Sequence, residues 1–218
     1  MIRLCVFDMD GLLIDSEKVY VSCAFACSEK YGYGFTKDFF LSTLGLNERA
    51  TKEKFQQEKG ADFPFEEFFD REWVIHQEYL KTNGLQKKKG VDELLAYLDQ
   101  KGIRKAIATS TEKKFADYYL SLAGLSGRFD KITYGDELTE SKPLPQIYLR
   151  SIGSFGIGKD GILAFEDSPN GILSAYNAGL KVVHVPDLAY VSDEIKEKSF
   201  AVLDDLSQAI KLIEELDQ

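Results

Sequence analysis

Short apolar runs rich in β-branched residues alternate with stretches of helical spacing along most of this chain. The runs are Arg3–Phe7, Arg104–Thr109, Lys131–Tyr134, Ile162–Phe165, Lys181–Val185 and Phe200–Leu203. Several are apolar throughout, as a strand buried on both faces must be. Between them, Val91, Leu94, Leu95 and Leu98, and later Leu206, Ile210 and Ile213, recur at the spacing of one helical face. Strand and helix in alternation predict an α/β fold, a doubly wound and mostly parallel sheet.

The stretch from Ser16 to Gly84 breaks the alternation. It carries long amphipathic patterns and no convincing strand, and so predicts a helical insertion, residues 16–84, in a sheet module made of residues 1–15 and 85–218. Its aromatic residues Phe35, Phe39, Phe40, Phe55, Phe63, Phe65, Phe68, Phe69 and Trp73 are expected to form mostly a small core of its own. Lys87-Lys88-Lys89-Gly90 reads as a solvated return into the sheet module. No internal repeat or low-complexity segment is visible.

With 218 residues there is room for one core and a smaller inserted one, and 44% hydrophobic with 29% charged residues is the balance of a water-soluble globular protein. The net charge of −9 opposes nucleic acid and acidic membrane surfaces as partners. A bound phosphate must therefore meet local positive charge. Met1–Phe7 is too short for a signal-peptide core, and no apolar run approaches a membrane span. Cys5, Cys23 and Cys27 are odd in number and lack zinc spacing, which points to reduced thiols and a cytoplasmic protein. With His76 and His184 the only histidines, a histidine-rich metal site is not expected.

In open α/β sheets ligands bind beyond the carboxyl ends of the strands, so polar residues that follow the apolar runs are the candidates for chemistry. Asp8-Met9-Asp10-Gly11 follows the first run: extended backbone sends Asp8 and Asp10 to one side, and Gly11 allows a close approach or a sharp turn. Two such carboxylates repel unless a cation compensates. All the ligands on offer are oxygens, which suits Mg2+. Thr109-Ser110-Thr111 precedes a helix and suits either a phosphate or simple capping. In Ser141-Lys142-Pro143 a lysine stands at an expected helix start, where it opposes the helix dipole and favours an anion. Glu166-Asp167-Ser168 offers an acidic pair and a helix cap.

In their order, and in their placement after four separate strands, these segments resemble the haloacid dehalogenase superfamily. The likeness is to its β-phosphoglucomutase-like and phosphoglycolate-phosphatase-like branch, through Phe7–Glu17, Thr109, Ser141–Pro143, Phe165–Ser168 and Gly171–Gly179. The resemblance spans essentially the whole chain. It implies a Rossmann-like core with an inserted α-helical cap and an aspartyl-phosphate mechanism. Asp8 would be the nucleophile and Asp10 the acid and base, with Thr109 and Lys142 holding the phosphoryl oxygens. Mg2+ would be held by Asp8, the Asp10 carbonyl and Asp167, with Glu166 a direct or water-mediated partner. Gly11, Ser110, Glu17, Tyr20 and Arg49 would line the phosphate or substrate side, with Asn47 and Lys52 as further candidates.

Asp10 argues against dehalogenation, and the absence of a recognisable cap lysine argues against phosphonate cleavage. Mutases of this branch have a His where this chain has Tyr20, and Arg49 is shifted by one from the mutase arginine. The expectation is therefore a phosphatase acting as a monomer on a small phosphorylated metabolite. A sugar phosphomutase, or a binding protein without turnover, is the alternative.

Overall fold

All six apolar runs are strands of one sheet in the computed structural model, which describes residues 1–46 and 48–217. In chain order they are β1 (Leu4–Phe7), β2 (Arg104–Ala108), β3 (Lys131–Thr133), β4 (Ile162–Glu166), β5 (Lys181–His184) and β6 (Ala201–Val202). The order across the sheet is β3-β2-β1-β4-β5-β6, and every pairing is parallel. β1 lies between β2 and β4, with Phe7 in register with Ile107 on one side and Phe165 on the other.

The sheet buries both faces, and the alternation of side chains divides the core in two. Cys5, Phe7, Ile107, Leu163 and Phe165 point to one face; Leu4, Val6, Ala106, Ile162 and Ala164 point to the other. The helices follow the chain as α1 (Ser16–Tyr31), α2 (Lys37–Leu41), α3 (Glu48–Lys59), α4 (Phe65–Asn83), α5 (Val91–Lys101), α6 (Lys113–Leu122), α7 (Gln146–Ile152), α8 (Pro169–Asn177), α9 (Asp193–Lys196) and α10 (Ala209–Leu216). α5, α6 and α10 cover the first face through Leu94, Leu98, Leu120 and Ile213, and α7 and α8 cover the second through Ile147, Tyr148, Ile172 and Ala175. Among the described residues no helix is long and apolar enough to cross a membrane.

The helices α1–α4 follow one another with no strand among the described residues. Phe35, Phe40, Phe55, Phe65 and Phe68 form a separate buried cluster with Val21, Ala24 and Cys27, and Phe39, Phe63 and Phe69 pack against it. Trp73 departs from the expected aromatic core, because its ring meets Phe115 of α6 at 4.8 Å. One turn further along α4, buried His76 lies 3.0 Å from Glu72 and 3.4 Å from the hydroxyl of Tyr119 on α6. The two connections to α1–α4 run side by side: Asp15 N donates to Gln86 O at 2.9 Å and Lys88 N to Leu13 O at 3.0 Å.

In the second connection Lys87 and Lys89 are exposed, as a solvated return requires, while Lys88 is half-buried, and all three are paired. Lys87 pairs with Asp92, Lys89 with Asp205 at 2.7 Å, and Lys88 with both Asp187 at 2.5 Å and Asp15 at 3.6 Å.

Candidate active site

Asp8 is the first residue past β1, and its backbone N still donates to Phe165 O at 3.0 Å. The carboxylate is therefore delivered at the centre of the sheet, where the loops after β2 and β4 flank it. Lys142 Nζ reaches in from the loop before α7, 2.5 Å from Asp8 Oδ1 and 2.6 Å from Glu166 Oε1. The Tyr148 hydroxyl donates to the same Glu166 oxygen at 2.6 Å. Asp8, Lys142, Tyr148 and Glu166 are all buried.

Lys142 is not at a helix start, because α7 begins only at Gln146, after a turn closed by Leu144 N donating to Ser141 O. Pro143 likewise precedes the helix and does not occupy its first position. Two buried carboxylates, rather than a helix dipole, decide the charge of Lys142. Burial alone would lower its pKa, but Asp8 and Glu166 hold it above the ordinary lysine range.

Asp10 sits in a ring of hydroxyls. Ser16 Oγ donates to its Oδ1 at 2.6 Å, and Thr111 Oγ1 and Thr109 Oγ1 donate to its Oδ2 at 2.6 and 3.3 Å. The simple capping role of Ser110 or Thr111 is not what is seen, since α6 begins after Glu112 without a side-chain cap. Ser168 does cap α8, its Oγ accepting from Gly171 N at 3.1 Å ahead of Pro169.

Asp167 is fully buried, and both of its carboxylate oxygens lack a hydrogen-bond partner. Burial raises its pKa well above the ordinary carboxylate range, and the charges of Glu17, Asp8, Glu166 and Asp187 push the same way. Asp8 is pushed up to about 8 by burial, with Lys142 opposing the shift and Glu166 and Asp10 adding to it. Charge of this density and orphaned oxygens are the environment a divalent cation satisfies. Asp8, Glu166 and Asp167 offer oxygens within 4.8 Å of one another. The residues thus fit Mg2+, with Asp8 and Asp167 the ligands in the better position, because Lys142 and Tyr148 already occupy Glu166 Oε1.

Gly11 explains how the loop passes so close. Its φ is +80°, and a Cβ there would collide with Asp167 Oδ2 and stand 3.1 Å from Glu17 Oε2.

The structure brings together Asp8, Asp10, Gly11, Glu17, Thr109, Lys142, Glu166 and Asp167. It does not bring Tyr20 or Arg49 to them by any hydrogen bond or ion pair among the described residues. Tyr20 packs its ring on Phe40 and Phe69, with its hydroxyl 3.4 Å from Thr43 Oγ1, and Arg49 is exposed and paired with Glu53 at 2.9 Å. Ser110 is exposed, Lys52 pairs with Glu66, and Asn47 lies outside the described residues. Sequence reasoning missed Ser16, Tyr148 and Asp187. For Asp187 a signal existed, because it lies three residues past the carboxyl end of β5, on the side of the sheet where Asp167 directly follows β4.

The family model described as "Haloacid dehalogenase-like hydrolase" matches residues 5–185. The phosphorylated carbohydrates phosphatase of Thermotoga maritima is 30% identical over 181 residues, 82% of each chain. The (DL)-glycerol-3-phosphatase 2 of Arabidopsis thaliana is 31% identical over 193 residues, 84% of this chain and 78% of that protein. A crystal structure of β-phosphoglucomutase from Clostridium difficile superposes with a TM-score of 0.80 over 99% of this chain and 97% of that one, at 20% identity. At that identity the likeness speaks to the fold alone.

Proposed function

The chain belongs to the haloacid dehalogenase-like hydrolases, and we propose that it is a magnesium-dependent phosphatase of a small phosphate ester, in the class of sugar phosphates. The reading rests above all on Lys142, which bridges Asp8 and Glu166 beside the unpartnered oxygens of Asp167. Relatives that act on phosphorylated carbohydrates and on glycerol 3-phosphate support the substrate class.

Lys142 engages Asp8 Oδ1, which leaves Oδ2 to attack phosphorus. A bond from Oδ2 to phosphorus forms as the bond to the leaving oxygen breaks. Asp10, oriented by Ser16, Thr109 and Thr111, gives that oxygen its proton. Asp10 then takes a proton from water, whose oxygen displaces Asp8 and releases phosphate. Thr109 and Lys142 hold the phosphoryl oxygens. A Mg2+ ion held by Asp8, the Asp10 carbonyl and Asp167 would offset the charge on those oxygens.

Residues 16–84 would act as a cap, pivoting where Leu13–Asp15 runs beside Gln86–Lys88. The packing of Tyr20 and the exposure of Arg49 favour water over a sugar hydroxyl as the second nucleophile. The test is p-nitrophenyl phosphate hydrolysis with and without Mg2+, followed by a panel of phosphorylated metabolites that includes β-glucose 1-phosphate with its bisphosphate activator. Mg2+-dependent release of phosphate is expected. Isomerisation of the sugar phosphate without release would establish the mutase, and inertness across the panel would leave a binding protein.

A further inference from the structure

The cation expected at Asp8 and Asp167 leaves part of this region unexplained. Asp187, in the loop after β5, presents one oxygen to Lys88 at 2.5 Å, while its Oδ2 is buried without a partner. Glu17, in the first turn of α1, likewise has a buried and unpartnered Oε2. Glu17, Asp167 and Asp187 offer carboxylate oxygens within 4.8 Å of one another. Asp167 thus belongs to two acidic groups, one with Asp8 and Glu166 and the other with Glu17 and Asp187.

An ion bound to Asp167 and Asp8 satisfies Asp167 but leaves Glu17 Oε2 and Asp187 Oδ2 desolvated and unpaired, an expensive arrangement. Five carboxylates around one ion is not how magnesium binds, since it takes one or two from the protein and keeps several waters. Each of those waters has hydrogens to donate, and acceptors are what Glu17 and Asp187 supply. The ammonium of Lys88 fixes Asp187 by its other oxygen and ties it to Asp15.

We propose that Asp187 and Glu17 are positioning residues of the cation site, accepting hydrogen bonds from the water shell of the ion held by Asp167. This rests on the reading that Asp8 and Asp167 bind a divalent cation.

The test counts Mn2+ bound to the full chain by electron paramagnetic resonance of the free ion. The wild type is expected to bind one Mn2+, and Asp167→Asn to lose it. Asp187→Ala and Asp187→Asn keep one site with affinity weakened about 10- to 100-fold, the usual cost of losing a partner of this kind. The exposed Asp193, whose side chain is 93% accessible, is the control for simple loss of charge, and Asp193→Asn stays within about twofold of wild type. Should the alanine variant fail to fold, as judged by its melt in chelator, the isosteric asparagine variant carries the comparison. Wild-type affinity in Asp187→Asn overturns the proposal and leaves the magnesium reading intact. Two Mn2+ per wild-type chain also overturns it, making Asp187 a ligand of a second ion. No saturable binding by the wild type would instead remove the magnesium reading itself.

Discussion

Lys142 and Asp8 lie 134 positions apart in the sequence and meet at 2.5 Å in the buried centre of the molecule. The same ammonium is shared with Glu166, so a single lysine neutralises two buried carboxylates. Lys142→Met removes that charge and leaves both carboxylates buried without their cation. Stability is expected to fall by about 3–5 kcal/mol, the usual cost of breaking a buried pair. Urea unfolding in chelator measures it, and the double variant Lys142→Met with Glu166→Gln should recover part of the loss.

Asp8→Asn keeps the shape of the proposed nucleophile and removes its reactivity. Turnover of p-nitrophenyl phosphate is expected to fall by roughly 10⁴-fold or more, in line with other nucleophile deletions. The melting temperature should not fall, because one of the repelling carboxylates is gone. Near wild-type rates would refute an aspartyl-phosphate at this position.

In the proposed mechanism Asp10 gives and takes a proton, and the need for that proton depends on the leaving group. For Asp10→Asn, formation of the phosphoenzyme is expected to slow far more with a sugar phosphate, which leaves as an alkoxide, than with p-nitrophenyl phosphate. Burst-phase kinetics with the two substrates provide the comparison. Equal losses would argue that Asp10 only positions other groups.

Gly11→Ala adds a Cβ where φ is +80° and Asp167 Oδ2 already stands. The backbone conformation alone costs about 1–2 kcal/mol. Displacement of Asp167 should also weaken Mn2+ binding, which separates this effect from strain alone, so a thermal melt and an Mn2+ titration are read together.

Cys5, Cys23 and Cys27 are buried and free. Burial, with Glu72 adding to it, pushes the Cys23 thiol from its usual 9.0 up to about 12, and burial pushes Cys27 up to about 11. The folded state therefore holds protons that the unfolded chain gives up above pH 9. The stability contributed by the neutral thiols is complete below that pH and declines as pH rises through the folded values. Iodoacetamide at pH 8 is expected to label none of the three thiols in the native protein and all three in denaturant, as counted by mass spectrometry.

The strands were legible because β1 and its neighbours are apolar on both faces, which few other arrangements of residues explain. Asp8, Asp10, Thr109, Lys142 and Asp167 were legible because each follows or approaches a strand end. Tyr148 was not, since a tyrosine among the apolar positions of a helix looks like packing until Glu166 is seen beneath it. The partners of Lys88 were hidden for a related reason. A run of lysines says nothing of Asp15 and Asp187, which lie far from each other in sequence and come together only when the sheet is assembled. Trp73 shows the limit of composition, because an aromatic residue in a stretch rich in phenylalanine turned instead to Phe115.

A side-chain hydrogen bond ties the turn between α2 and α3 to the start of α8. Asn170, three positions beyond Asp167, donates its Nδ2 to Gly45 O at 2.6 Å. If α1–α4 swing away as proposed, that carbonyl must let go, and it is held by the start of the helix that follows Asp167 and Ser168. Thermodynamic reciprocity then applies: whatever the ion does to the grip on Gly45, that grip does in equal measure to the ion. On the proposed reading, loading the centre and shutting the molecule become two readings of one equilibrium.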